Sequence, residues 1–418
     1  LFDEDPQEDG ENRTVVDSSF WSQPKVPRYP TLATFGRFEI LGRLARGGMA
    51  EVFLARERQG DGTDRHVVVK RVLPEMEGNP QLLSMFLEEG ATATRLYHAN
   101  VCHVYECGEL EGTAFMALEW VYGPSLHDVI RRARERGGCI PWPIAVELVA
   151  QVAGALSYVH SAHGVHGRPL NIVHRDVSPH NVMLSWTGAV KLLDFGIAKT
   201  SAEGSQGTAG KYDYMSPEQA QSRAVDARSD IFALGVVLYE VLVGKALYDR
   251  PTLLDTLSAI VREPPPSLRR ERPELPEALD HILARALAKD PAHRFQTAGE
   301  LRAALKQVLR ANGQIVAERR VAMTLEGLFD ASEKVPLRAD SQVMTGSFQA
   351  LTAHALEHES NEVVTFGSFT HESERPPSAR PPAPTNRAGR PLLLVVGAIV
   401  LVLVAAAIGV AVALHLFL

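Results

Sequence analysis

Val173-His174-Arg175-Asp176-Val177-Ser178-Pro179-His180-Asn181 is followed, thirteen residues after the asparagine, by Asp194-Phe195-Gly196. Identities fixed at these offsets (His, Arg, Asp, Asn, Asp, Phe, Gly) are the most specific signal in the chain. Outward from it, residues 38 to about 310 alternate apolar runs with Gly and Pro punctuation and read as one large folded unit. On the N-terminal side, β-branched and alternating patterns predict strands over residues 38–44, 50–56, 67–72 and 115–120, with a helix over 81–97 between them. The remainder reads mainly as helix. In residues 143–160, Val146, Val149, Val152, Ala153 and Leu156 approximate a helical stripe, and residues 229–243 are apolar nearly all round, which predicts a buried helix. Strands grouped first and helices afterwards predict an α+β protein of two lobes.

The 418 residues leave room for roughly two to four structural units. With 45% apolar and 22% charged residues the composition is that of a globular protein, and collagen-like, mucin-like and wholly disordered chains are excluded. Lys plus Arg number 43 against 50 Asp plus Glu, a net charge of −7, so no nucleic-acid partner bound through phosphate neutralisation is expected. Cys102, Cys107 and Cys139 are odd in number and form no Cys-x-x-Cys pair, which argues against a disulfide framework or a cysteine zinc site and for small buried hydrophobes. His160, His163 and His166 are interrupted by helix breakers and do not make one ligand-bearing face.

The flanks differ from this core. Residues 1–35, acidic and then Pro-punctuated, read as a disordered arm, without the basic start and apolar run of a signal peptide. Residues 312–334 read as a helical extension, in which the amphipathic piece 321–329 is either a last helix or a docking segment. Residues 335–391 read as a disordered linker ending in a Pro- and Arg-rich spacer. Residues 392–414 carry no charge, and twenty-three residues at about 1.5 Å each suffice to cross a hydrocarbon core of about 30 Å, which predicts a single-pass membrane anchor. Arg380, Arg387 and Arg390 precede it, with no Lys or Arg after it, and this bias places the large N-terminal part in the cytoplasm, on the inner (plasma) membrane.

The motifs resemble those of the eukaryotic-like (Hanks-type) bacterial serine/threonine protein kinases, over residues 36–311. The resemblance implies the two-lobed protein-kinase-like fold, with a small β-rich lobe and a larger helical one, and transfer of the γ-phosphoryl group of ATP, with Mg2+, to hydroxyls of protein substrates. It further implies autophosphorylation between the copies of a homodimer. Asp176 then looks like the catalytic base, beside Arg175, while Asn181 and Asp194 look like the oxygen ligands of the metal. Val67-Val68-Val69-Lys70 ends in one of only nine lysines, and by resemblance Lys70 contacts the phosphates and pairs with Glu89, or failing that Glu88, on the next helix. Leu44-Ala45-Arg46-Gly47-Gly48-Met49-Ala50-Glu51-Val52 aligns with the phosphate-covering loop, with Ala45 and Ala50 in place of its first and third glycines.

The same resemblance places adenine against the backbone of Glu119 and Val121, behind Leu118 and between Val52, Val68 and Met183. It implies a buried Glu218–Arg294 pair, an anchor for the catalytic loop at Asp230, and phosphorylation candidates Ser201, Ser205 and Thr208 near Arg175. Ser178 departs from the usual lysine that touches the transferred phosphate, and Lys211 from the usual threonine of the substrate-facing loop. The alternative of another class, an ATP-binding scaffold that recruits partners to the membrane, keeps the fold and lacks phosphoryl transfer.

Overall fold

The β-branched run Val67-Val68-Val69 lies at the centre of an antiparallel sheet in the computed structural model, which describes residues 29–60, 62–164, 167–194 and 212–334 and the backbone of 364–365. All of these belong to the first of two compact units, residues 1–367. The sheet holds β1 (Ala33–Phe35), β2 (Phe38–Arg46), β3 (Ala50–Arg58), β4 (Asp64–Val72), β5 (Val104–Leu110) and β6 (Thr113–Glu119), with Val364–Thr365 as β9, in the order β1-β2-β3-β4-β6-β5-β9. Its register pairs Val52 with Lys70, Leu54 with Val68 and Val68 with Leu118, so these side chains share one face. Phe53, Val67, Val69, Phe115 and Ala117 fill the other face.

The helix α1 (Pro80–Ala93) starts where Asn79 accepts from the N–H groups of Gln81 and Leu82, with Pro80 in the first turn. It lies so close to β5 that a Cβ on Gly90 would sit 2.1 Å from Cys107 Sγ, so glycine at this position sets the approach that carries Glu89 toward the cleft.

The larger lobe follows as α2 (Leu126–Glu135), α3 (Trp142–His160), the hairpin β7 (Val182–Leu184) and β8 (Val190–Leu192), then α4 (Pro217–Ala220), α5 (Ala227–Val243), α6 (Leu253–Arg262), α7 (Leu268–Glu271), α8 (Glu277–Ala286), α9 (Ala298–Ala311) and α10 (Glu318–Leu328). The two nearly all-apolar helices, α3 and α5, are its centre. α5 is buried along almost its whole length, from the Asp226 cap to Gly244, which ends it at φ 77°. α3 is long and apolar enough to span a membrane, but it is mostly buried within the lobe. Residues 392–414 lie outside the described residues, as do Phe195, Gly196, Ser201, Ser205, Thr208 and Lys211.

Some expectations require correction. The disordered arm does not extend to residue 35: β1 pairs with β2, and Phe35 is buried edge-on to Phe115 at 5.6 Å, a packing that offsets the cost of ordering the chain. The helix expected over 81–97 ends at Ala93, where the chain turns through Thr94 so that Leu96 enters the core. β5 was not legible, because Glu106, Gly108 and Glu109 interrupt its apolar pattern. Cys102 is buried, whereas Cys139, on the turn between α2 and α3, is exposed. Burial raises the Cys107 thiol to about 12, so it behaves as an inert apolar group.

Candidate active site

Arg175 and Asp194 both hold left-handed backbone, at φ 63° and 44°. Such conformations cost non-glycine residues about 1–3 kcal/mol each and persist only where neighbours over-determine them. Asp230, buried on α5, supplies the constraint for the loop of residues 174–176: Oδ2 accepts from His174 N–H and from His160 Nε2, both at 2.8 Å, and Oδ1 accepts from Arg175 N–H at 2.8 Å. Gln219 of α4 adds a bond to the Arg175 carbonyl at 3.1 Å.

His174 ties this loop to the one carrying Asp194. Its Nε2 donates to the Leu193 carbonyl at 2.8 Å and its Nδ1 accepts from Asp176 N–H at 3.3 Å, a pattern only the neutral tautomer satisfies. Burial, outweighing the nearby carboxylate of Asp230, holds the imidazole below its ordinary value of 6.5. A lowered folded value means that neutral His174 contributes stability above pH 6.5, which is lost as the pH falls from there toward the folded pKa. The His174→Gln protein should therefore lose less denaturant resistance than wild type between about pH 7 and pH 5.5. Equal losses in the two proteins would remove His174 from the acid sensitivity.

Asn181 Nδ2 donates to the Asp176 carbonyl at 2.7 Å, and Leu193 N–H donates to the Asn181 carbonyl at 2.8 Å. With the amide nitrogen committed, the side-chain oxygen of Asn181 remains as its ligand atom. Across the cleft, Lys70 Nζ donates to Asp194 Oδ1 at 2.9 Å. Burial works against charge on Lys70, but Asp194, Glu89 and Asp176 together raise its pKa; Lys70 in turn holds Asp194 below the ordinary carboxylate range against the desolvation by the surrounding cleft. Both groups are thus charged through the neutral range. The ion pair runs to Asp194, and Glu89, half-buried on α1, acts on Lys70 as a neighbouring charge. Glu88 is exposed and accepts from Ser84 Oγ on its own helix.

Three of the four apolar side chains expected around adenine lie on one face of the sheet. These are Val52, Val68 and Leu118, whereas Met183 stands on β7 of the larger lobe, opposite Lys191. Glu119, at the end of β6, is pinned by Lys191 Nζ at 2.8 Å and by His103 N–H at 3.2 Å, and Val121 follows it into the larger lobe. Lys191 carried no motif and was missed. Leu44, Ala45 and Arg46 end β2, Gly47, Gly48 and Met49 make the turn, and Ala50 opens β3, with Gly47 N–H donating to the Ala50 carbonyl at 2.8 Å. A Cβ on Gly47 would come no closer than 3.5 Å to the Ala50 carbonyl, and one on Gly48 would meet nothing within 4 Å. The chain's own packing makes no demand for glycine here, and the open space fits the approach of a phosphate.

Glu51 does not join this face. Adjacent strand residues point to opposite sides, and Glu51, buried, pairs with Arg43, Arg46 and Arg71, each at 3.3 Å, away from Val52 and Lys70.

The donor set fits Mg2+: a carboxylate at Asp194, open to the cleft at 44% exposure, an amide oxygen at Asn181, and a cation at Lys70 to face phosphate. No cluster of three or more His, Cys, Asp or Glu suited to holding a metal by itself occurs among the described residues. The metal would therefore need oxygens from its phosphate partner, as magnesium in nucleotide sites does.

Residues 38–308 match the protein kinase domain family. The chain is 39% identical over 284 residues to a protein of Myxococcus xanthus named tyrosine-protein kinase MasK, covering 67% of this chain and 44% of that one. It is 38% identical over 283 residues to the serine/threonine-protein kinase PknB of Mycobacterium leprae, with 65% and 43% covered. Against the serine/threonine-protein kinase PrkC of Bacillus subtilis the figures are 30% over 312 residues, with 74% and 45% covered. The chain thus spans less than half the length of these curated relatives. The crystal structure of the Mycobacterium tuberculosis PknI kinase domain is similar with a TM-score of 0.51 at 29% identity, covering 67% of this chain and all of that one. With its strand-rich small lobe, its helical large lobe and the Lys70–Asp194 pair across the cleft between them, this chain belongs to the protein kinase family.

Proposed function

We propose that the chain transfers the γ-phosphoryl group of ATP to serine and threonine hydroxyls of proteins, its own included. The carrying observation is that Lys70 meets Asp194 at 2.9 Å while His174, Asn181 and Leu193 lace Asp194's loop to that of Asp176. Phosphoryl transfer asks a protein for positioning and charge neutralisation more than for covalent chemistry. Asp176 orients the acceptor hydroxyl and takes its proton as the oxygen attacks the γ-phosphorus. The bond from that phosphorus to the bridging oxygen breaks, and ADP leaves. Lys70 holds the α and β phosphates, while Asn181 and Asp194 would hold Mg2+, which supplies neutralisation of phosphate charge when bound.

Membrane anchoring through residues 392–414, with the catalytic unit in the cytoplasm, and phosphorylation at Ser201, Ser205 or Thr208 between paired copies belong to the same proposal. A tyrosine acceptor is the second reading, favoured by the 39% identity to a relative named a tyrosine kinase; the serine/threonine acceptor is favoured by the relatives named PknB and PrkC. Incubation of the full chain with labelled Mg-ATP, followed by phosphoamino-acid analysis and with Lys70→Met as control, decides between them. Label in phosphoserine and phosphothreonine, absent from Lys70→Met, is the expected result. Label in phosphotyrosine alone overturns the acceptor, and no label in the wild-type chain leaves the scaffold alternative.

A further inference from the structure

The segment beyond the kinase-domain match turns back to the connection between the lobes. α10 buries Val321 and Leu325, and the β7–β8 turn passes so close to its start that a Cβ on Gly188 would lie 1.9 Å from the Glu318 carbonyl. After α10, Phe329 is buried with its ring edge-on to Trp186 at 5.5 Å. Trp186 meets Tyr122 at 6.4 Å, Tyr122 meets Trp120 at 5.1 Å, and Trp120 meets His66 of β4 at 5.2 Å. The rings form one continuous run from the small lobe, through the hinge between the lobes (Glu119 to Tyr122), to the extension.

Polar bonds hold the end of that run. Tyr122 Oη donates to the Lys334 carbonyl at 2.6 Å, and the Lys334 ammonium stands 5.2 Å over the Trp186 ring. From α2, Arg132 Nε donates to the Leu328 carbonyl at 3.2 Å and its guanidinium pairs with Glu333, while Arg136 pairs with Asp330 at 3.3 Å. Trp120 and Tyr122 flank Val121, a backbone position placed beside adenine above, so a change in the docking of residues 318–334 reaches the nucleotide wall through directly packed groups.

We propose that residues 318–334 are a strap that positions the hinge, so that docking of the strap and binding of the nucleotide favour one another. The inference rests on the nucleotide-binding part of the proposed function. Phe329 and Tyr122 are positioning residues in this scheme and touch no reacting atom. Coupling between two sites is reciprocal: whatever the docked strap adds to nucleotide affinity, bound nucleotide adds to strap docking.

The test uses the full chain with Mg-ADP as probe, comparing wild type, Phe329→Ala, Tyr122→Phe and Leu283→Ala, the last of which removes buried apolar volume from α8, outside the strap. The expected result is a Kd for Mg-ADP and a KM for ATP raised about five- to tenfold in Phe329→Ala. Tyr122→Phe should move both in the same direction by less, and the maximal autophosphorylation rate should stay within about twofold throughout. Leu283→Ala should lower the thermal midpoint and leave the KM for ATP in place. Saturating Mg-ADP should slow hydrogen exchange across residues 318–334 of the wild type. An unchanged Kd in folded Phe329→Ala, or an equal rise in Leu283→Ala, overturns the strap. A wild-type chain that takes up no Mg-ADP instead overturns the nucleotide reading beneath it.

Discussion

Arg294→Ala lowers the stability of the larger lobe by about 3 to 5 kcal/mol, the usual cost of removing one partner from a buried ion pair. The guanidinium is fully buried and all five of its N–H donors are used. Nη1 and Nη2 reach the two Glu218 oxygens at 2.7 and 2.8 Å, and further bonds go to the carbonyls of Ala288 (2.8 Å), Arg228 (2.9 Å) and Lys289 (3.1 Å). Ser229 Oγ also donates to Glu218. Burial pushes the Glu218 carboxyl up, but the bonds from Arg294 and Ser229 outweigh it and hold the pKa below the ordinary value of 4.5. Its contribution is therefore present above that value and is lost as the pH falls through the folded pKa. Alanine at position 294 strands a buried carboxylate and three carbonyls. Chemical denaturation checks the loss, and the double variant Glu218→Leu, Arg294→Met should recover part of it because no charge is left buried alone. A single variant within about 1 kcal/mol of wild type would show that the pair is not what locks α4 to the lobe.

Asp176→Asn, by contrast, leaves the fold intact and lowers the maximal rate about 10²- to 10⁴-fold, the range over which a positioned general base acts. The backbone bonds of the site survive the change: Asp176 N–H still donates to His174 Nδ1 and its carbonyl still accepts from Asn181. Nucleotide affinity should consequently stay near the wild-type value, while single-turnover transfer slows. A rate within about threefold of wild type would take the proton-accepting role away from Asp176.

Much of this arrangement was legible because it depends on residue types at fixed spacings. The aspartates at 176 and 194, Asn181 and Lys70 stand out by chemistry and offset. Asp230 and the Glu218–Arg294 pair follow the same motifs, and the structure places them at 2.8 Å and at 2.7 to 2.8 Å from their partners. The resemblance named Val52, Val68 and Leu118, which share a sheet face, but strand alternation was not applied to Glu51, whose neighbour Val52 already occupies that face. Short or weakly patterned strands escaped notice: β1, β7 and β8 have only three residues each, and β5 carries two glutamates and a glycine.

Contacts between distant positions had no local signature at all. Nothing near Lys191 marks it as the partner of Glu119, seventy-two residues away, and nothing near Lys334 marks its carbonyl as the acceptor for Tyr122. The amphipathic pattern of residues 321–329 said that a face must be buried but not against what. The Lys70 partner was likewise open to revision, since Glu89 and Asp194 both face the same ammonium and only geometry decides which bonds it.

The central claim is that Lys70, Asp176, Asn181 and Asp194 converge on a magnesium–nucleotide site. Calorimetric titration of the full chain with ATP, with and without Mg2+, tests it most directly, with Asp194→Asn alongside. Saturable uptake that strengthens with Mg2+ in the wild type, and loses that dependence in Asp194→Asn, is the predicted result. No uptake by the intact chain, or the same magnesium dependence in both proteins, would contradict it.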